Sequence, residues 1–211
     1  MSHKTQTRNE EFANAVIHGI GFLLGLVLAP VLIIQASGHS TASLVFASAV
    51  FSFGFLMSYL SSTIYHLVQK PGTKKLLRIW DHISIFFLIG GTYTPIIFRY
   101  TDHETTFAFL GIMWTLIVAG SLLKIFFTGR YDNVSTAIYA LLGWMLVFIF
   151  KPLMANMPLE VFWWILAGGL AYTFGIIFYK WQKLTYQHGI WHLFVLAGTL
   201  LQYVGVYKCV A

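Results

Sequence analysis

Thr106-Phe-Ala-Phe-Leu-Gly-Ile-Met-Trp-Thr-Leu-Ile-Val-Ala-Gly-Ser-Leu-Leu-Lys-Ile-Phe-Phe127 is an unbroken apolar run with one charge, Lys124. As a helix it rises roughly 33 Å, enough to cross a hydrocarbon layer about 30 Å thick. In lipid every backbone N–H and C=O must be paired within the chain, so the choice is a spanning helix or a closed barrel. The run is continuous and not a ten-residue alternating segment, which selects the helix. Similar runs recur along the chain. Spans are predicted at about 16–36, 43–66, 80–98, 106–127, 134–154, 159–179 and 189–209. The expected fold is an all-α membrane protein, a single seven-transmembrane-helix bundle over residues 1–211. Hydrophobic residues make up 58% of the chain and charged ones 9%, where a soluble domain carries about 25% charged residues. No hydrophilic stretch exceeds about a dozen residues, so no appended soluble domain is expected. The first run is too long for a signal-peptide core and reads as a retained span.

The basic residues orient the bundle. Lys4, Arg8, Lys70, Lys74, Lys75, Arg78, Lys124, Arg130, Lys180 and Lys183 fall on one side; Arg99, Lys151 and Lys208 fall on the other. The positive-inside rule puts the N-terminus in the cytoplasm and the C-terminus outside. A six-span arrangement, with the first segment on the surface, would break this alternation. The formal charge of +6 therefore reports topology and contact with anionic lipid, and no nucleic-acid partner is expected. The single cysteine, Cys209, excludes an internal disulfide.

On this topology the ionisable residues near the spans gather at the basic end. His66 closes the second span, Asp81 and His82 open the third, and His188 and His192 open the seventh. Asn14 and His18 open the first. Asp81 is the only acid at the edge of a span, and an ionisable residue at membrane depth is a functional candidate because its burial is costly. His188 and His192, four apart, share one helix face. With His66 they make a sensible three-imidazole zinc site, the carboxylate of Asp81 beside it to orient water or take its proton. The bland alternative is a set of interfacial histidines bonded to backbone or lipid. Ser62 shares a face with His66; its hydroxyl can stabilise an oxyanion or simply bond back to the carbonyl four residues earlier. Glu11, Asn14 and His18 share a face at spacings of three and four, and are expected to form a structural polar network. Trp80, Trp163, Trp164, Trp181 and Trp191 fall near span ends and read as an interfacial belt. Pro95 is expected to close the third span.

Ser62-Thr-Ile-Tyr-His66, Asp81 with Gly91-Thr-Tyr-Thr-Pro95, His188-x-x-x-His192 and Glu11-x-x-Asn14-x-x-x-His18 together resemble the haemolysin III branch of the progestin and adiponectin receptor family. The resemblance spans nearly the whole chain. It implies zinc held by His66, His188 and His192, with Asp81 contacting the water on that ion and Ser62 beside it. It implies a bacterial inner-membrane protein of membrane and lipid homeostasis, grouped with presumed membrane hydrolases such as alkaline ceramidases. Hormone recognition does not carry over, because the long N-terminal region of the receptor members is missing. The leading expectation is a zinc-dependent hydrolase of a lipid amide or ester bond. The alternatives are a sensor, receptor-like or transport element with structural zinc, and a pore-forming haemolysin.

Overall fold

The computed structural model describes residues 6–211, so His3 and Lys4 lie outside the described residues. The described residues form helices and connecting turns, with no strand among them. The helices are α1 Arg8–His39, α2 Ala42–Leu67, α3 Pro71–Tyr100, α4 His103–Phe127, α5 Asp132–Gly143, the short α6 Phe150–Met154, α7 Leu159–Lys180 and α8 Gln187–Val210. Counting α5 through α6 as one crossing, seven segments are long and apolar enough to span a membrane. Unlike a soluble protein, the bundle is apolar outside as well as within. Val27, Ile34, Phe126, Leu141 and Phe148 face outward, Phe148 with 85% of its surface exposed. Ser48, Ser52, Ser62, Thr92 and Thr199 are among the polar residues buried inside.

Helix ends follow local chemistry. Thr7 caps α1 in a reciprocal box: its hydroxyl accepts from the Glu10 N–H at 3.3 Å, and Glu10 Oε2 accepts from the Thr7 N–H at 2.8 Å. The helix therefore starts well before the apolar run, and Glu10 to His18, expected partly in a tail, are helical. Likewise α3 starts at Pro71, whose missing N–H suits the first turn. This puts Lys74 and Arg78, expected in a loop, on the same helix as Asp81. The helix also runs through Pro95 to Tyr100, where an end was expected.

Helix α3 is the axis of the bundle, with 72% of its most apolar window buried. It packs on α2, α4, α5, α6 and α8. Gly54 makes the α2–α3 approach possible: a Cβ there would stand 2.4 Å from the Phe87 carbonyl oxygen. Helix α1 docks on α2 through Gly21, where a Cβ would stand 2.2 Å from the Tyr59 ring. Tyr59 in turn donates to Thr199 Oγ1 of α8 at 2.8 Å. The fifth crossing is broken. After Gly143 the chain makes a 3₁₀ turn, Met145–Ile149, before α6. The freed Gly143 carbonyl accepts from the Tyr93 hydroxyl of α3, as a non-helical stretch at membrane depth requires.

Candidate metal centre

The last turn of α2 and the first turns of α8 bring His66, His188 and His192 together. One nitrogen from each lies within 4.8 Å of the others. His66 Nε2 and His192 Nε2 face each other at 3.1 Å. Ligands at 2.0–2.1 Å around a tetrahedral ion stand roughly 3.3–3.4 Å apart, close to this spacing. His66 and His192 are buried, and His188 is half-buried.

The tautomer of His66 is set from behind. Its Nδ1 donates to Glu11 Oε2 at 2.6 Å, which turns the Nε2 lone pair towards His192. Glu11 Oε1 is held by Lys74 Nζ at 2.9 Å. A carboxylate behind a ligating imidazole is a common brace in metal sites. The neighbouring acid braces the other ligand helix: Glu10 Oε1 accepts from the Tyr186 N–H at 3.2 Å. Tyr186 sits two residues before His188 with φ +58°, a left-handed conformation uncommon outside glycine. Two consecutive acids on α1 therefore fix α2 and the start of α8.

The polar atoms here are poorly satisfied by the protein itself. Asn14 Oδ1, both ring nitrogens of His18, Ser62 Oγ and His192 Nδ1 are buried without a hydrogen-bond partner. Buried polar groups are rarely left so, and a cluster of them marks a place for a polar or ionic guest. Ser62 is the telling case. Ser48, Ser52, Thr63, Thr92, Thr94 and Thr199 all bond to the carbonyl four residues back. Ser62 does not, although it lies one turn before His66. The donor set fits a zinc ion: three imidazoles, one fixed by a carboxylate, in a buried polar pocket.

The site opens on a cavity of about 420 Å³. Asp81 lines it, as do His188, His192 and His18. Its carboxylate is 3.9 Å from His82 Nδ1, while that nitrogen donates to the Arg78 carbonyl at 2.6 Å. Cavity-facing residues of α3 follow one helical stripe: Lys74, Arg78, Asp81 and His82 first, then Ile85, Leu88 and Ile89, then Thr92. The cavity is thus charged at the histidine end and has an apolar band beyond it, before Thr92, Tyr93 and Gln202.

Glu11, Asn14 and His18 do not form the shared network expected of them. Glu11 goes to His66 and Lys74, the Asn14 amide donates to Gln6 at 2.6 Å, and the His18 ring leans on His192, centroids 3.7 Å apart and planes tilted by 55°. Their common face is pressed against α2 and α8, which offer nearer partners. Trp191 lines the cavity, whereas Trp80, Trp163 and Trp181 are exposed as an interfacial belt requires.

Comparison with known proteins agrees with the motifs. The family described as Haemolysin-III related matches residues 6–203. The chain belongs to the haemolysin III family. It is 42% identical over 203 residues to "Hemolysin-3" of Bacillus cereus, covering 96% of this chain and 93% of that one. It is 39% identical over 205 residues to the "Hemolysin-3 homolog" of Bacillus subtilis, covering 97% and 96%. A more distant haemolysin III relative is the human "Monocyte to macrophage differentiation factor", 22% identical over 165 residues, 75% of this chain and 68% of that one. This is therefore an integral membrane protein of seven spanning segments whose histidine cluster can hold a metal ion.

Proposed function

We propose that this haemolysin III protein is a zinc-dependent hydrolase that cleaves an amide or ester bond of a lipid, serving membrane homeostasis in the bacterial inner membrane with its N-terminus in the cytoplasm. One observation carries the reading: the Asp81 carboxylate lines one cavity with His188 and His192, His66 completes their cluster, the unpartnered Ser62 hydroxyl lies one turn before His66, and Ile85, Leu88 and Ile89 give the cavity an apolar stretch. His66, His188 and His192 would hold the ion. Zinc, when bound, supplies Lewis acidity, polarising a carbonyl and bringing the pKa of water down to about 7. Asp81 acts as general base and takes the proton of the attacking water. Ser62 Oγ–H donates to the oxyanion that develops on the carbonyl. Glu11 keeps the His66 Nε2 lone pair turned inward, and the apolar stretch from Ile85 to Ile89 shelters the acyl chain.

The test is metal content and lipid turnover in purified protein. About one zinc per chain is expected, with turnover of acyl-amide or acyl-ester lipids. Asp81→Asn and Ser62→Ala should keep the metal and lose turnover. A metal-free protein with an intact fold and undiminished turnover would sink the reading. The second reading is a sensor or transport element in which zinc staples α2 to α8. It draws on the acids of α1, which brace the ligand helices as a structural site would need. It requires Asp81→Asn to leave biological activity unchanged. Pore formation, which the relatives' name suggests, requires liposomes containing the protein to leak ions or dyes.

A further inference from the structure

Of the lysines and arginines among the described residues, only Lys124 is buried, with 4% of its surface exposed. A lysine near the end of a spanning helix ordinarily snorkels to the interface and keeps its ammonium in water. Lys124 stands three residues from the end of α4 and does the opposite. It turns inward and is the residue by which α4 reaches the cavity wall. Its Nζ has no hydrogen-bond partner. The nearest aromatic face, Tyr139, is 5.7 Å away at its centroid. The other lysine and arginine of the cavity lining have carboxylate partners: Lys74 pairs with Glu11 at 2.9 Å and Arg78 with Asp132 at 3.1 Å. Asp132, Asp81 and Arg78 act on Lys124 through space, but none donates to or accepts from it.

An unsatisfied ammonium inside a span calls for an anion. The cavity says what kind. Along α3 the lining changes from charged at positions 74–82 to apolar at 85–89, with Thr92 and Tyr93 beyond, so a guest held at the charged end has a polar head and lays a hydrocarbon segment on the apolar stretch. We propose that Lys124 is the headgroup subsite of this cavity and takes an anionic single-chain lipid, a phosphate or carboxylate head on an acyl tail. The ammonium donates to the head, and the tail lies along Ile85, Leu88 and Ile89. This deepens the hydrolase reading by naming the substrate class, and it rests on the cavity being a lipid site but not on turnover.

The test is equilibrium binding to the purified full-length chain in neutral detergent, followed by quenching of tryptophan fluorescence. The probes share one acyl chain: a lysophosphatidate, the free fatty acid and the uncharged monoacylglycerol. At least one anionic probe should bind about tenfold tighter than the neutral one, the scale of one hydrogen bond to a charged group. Whichever of the two anions is tighter identifies the head. In Lys124→Met the preference should shrink to within about twofold with neutral-lipid affinity unchanged, while Lys124→Arg keeps it. His192→Ala should also keep it, since the anion sits on the lysine and not on the metal. Equal binding of all three probes by the wild type overturns the proposal. So does a preference that survives Lys124→Met or vanishes in His192→Ala. Should Lys124→Met fail to fold, the wild-type ratio decides alone. Absence of turnover with the preference intact would remove the hydrolase and leave this subsite standing.

Discussion

Helix α2 buries a whole face, from Leu44 through Phe51 and Tyr59 to His66, whereas α5 buries only Leu142. These are two walls of one cavity. The wall that carries the histidines is close-packed, with glycines letting backbones touch and Tyr59 hydrogen-bonded across to α8. The opposite wall has α5, broken after Gly143 and with all but Leu142 half-buried or exposed, and beside it α7, which packs on α8 but leaves Gly169 with open space beside it. Metal ligation tolerates displacements of only a few tenths of an ångström, so its ligands sit on rigid, packed elements. A cavity for flexible chains works with a wall that yields. The difference teaches that packing density here follows the precision each wall must deliver.

The sharpest way to break this contrast is at the ligands. On the proposed zinc reading, His192→Ala should reduce zinc from about one per chain to background, read by elemental analysis, since it removes one of the three histidines of the cluster. Glu11→Gln should keep the metal but weaken its affinity by about 10–100-fold in chelator competition, because it puts a neutral amide in place of the carboxylate behind His66 and breaks the ion pair with Lys74. Unchanged affinity would mean the brace is ornamental. Gly54→Ala should lower stability by about 1–3 kcal/mol, because its Cβ meets the Phe87 carbonyl. Gly169→Ala, on the opposite wall, meets nothing within 4 Å. It should be neutral or stabilising by up to about 1 kcal/mol, the ordinary gain of alanine over glycine in a helix. Thermal unfolding in one detergent compares the pair directly. Equal losses would erase the distinction between the walls.

Much of this molecule can be read from its letters. Hydropathy is a property of the chain in one dimension, and seven crossings follow from it, with α2 and α8 ending within two residues of the expected limits. The histidine cluster was legible because helix periodicity and alternating topology bring His66 and His188-x-x-x-His192 to one depth. What stayed hidden depends on how each helix is rotated. Lys124 counts as a topology marker in the sequence, and only the rotation of α4 turns it inward. Glu11 shares a face with Asn14 and His18, but the partner it takes comes from α2. The break after Gly143 leaves no trace in hydropathy, because Trp144 to Phe150 is as apolar as a regular span. A capping signal at Thr7-x-x-Glu10 was present and would have extended α1 towards the N-terminus.

The hydrogen bond between Glu11 and His66 has a thermodynamic consequence. It joins the first turns of the chain to the histidine cluster, so the docked state of α1 and the loaded state of the cluster are linked equilibria. Whatever factor α1 docking adds to ion affinity, the ion returns to α1 docking, because coupling between two sites is reciprocal. Amides from Ala13 to Gly19 should therefore exchange more slowly in loaded than in stripped protein. Glu11→Ala, which removes the acceptor, should abolish most of that difference. The amino-terminal turns of this protein would then serve as a gauge of its metal occupancy.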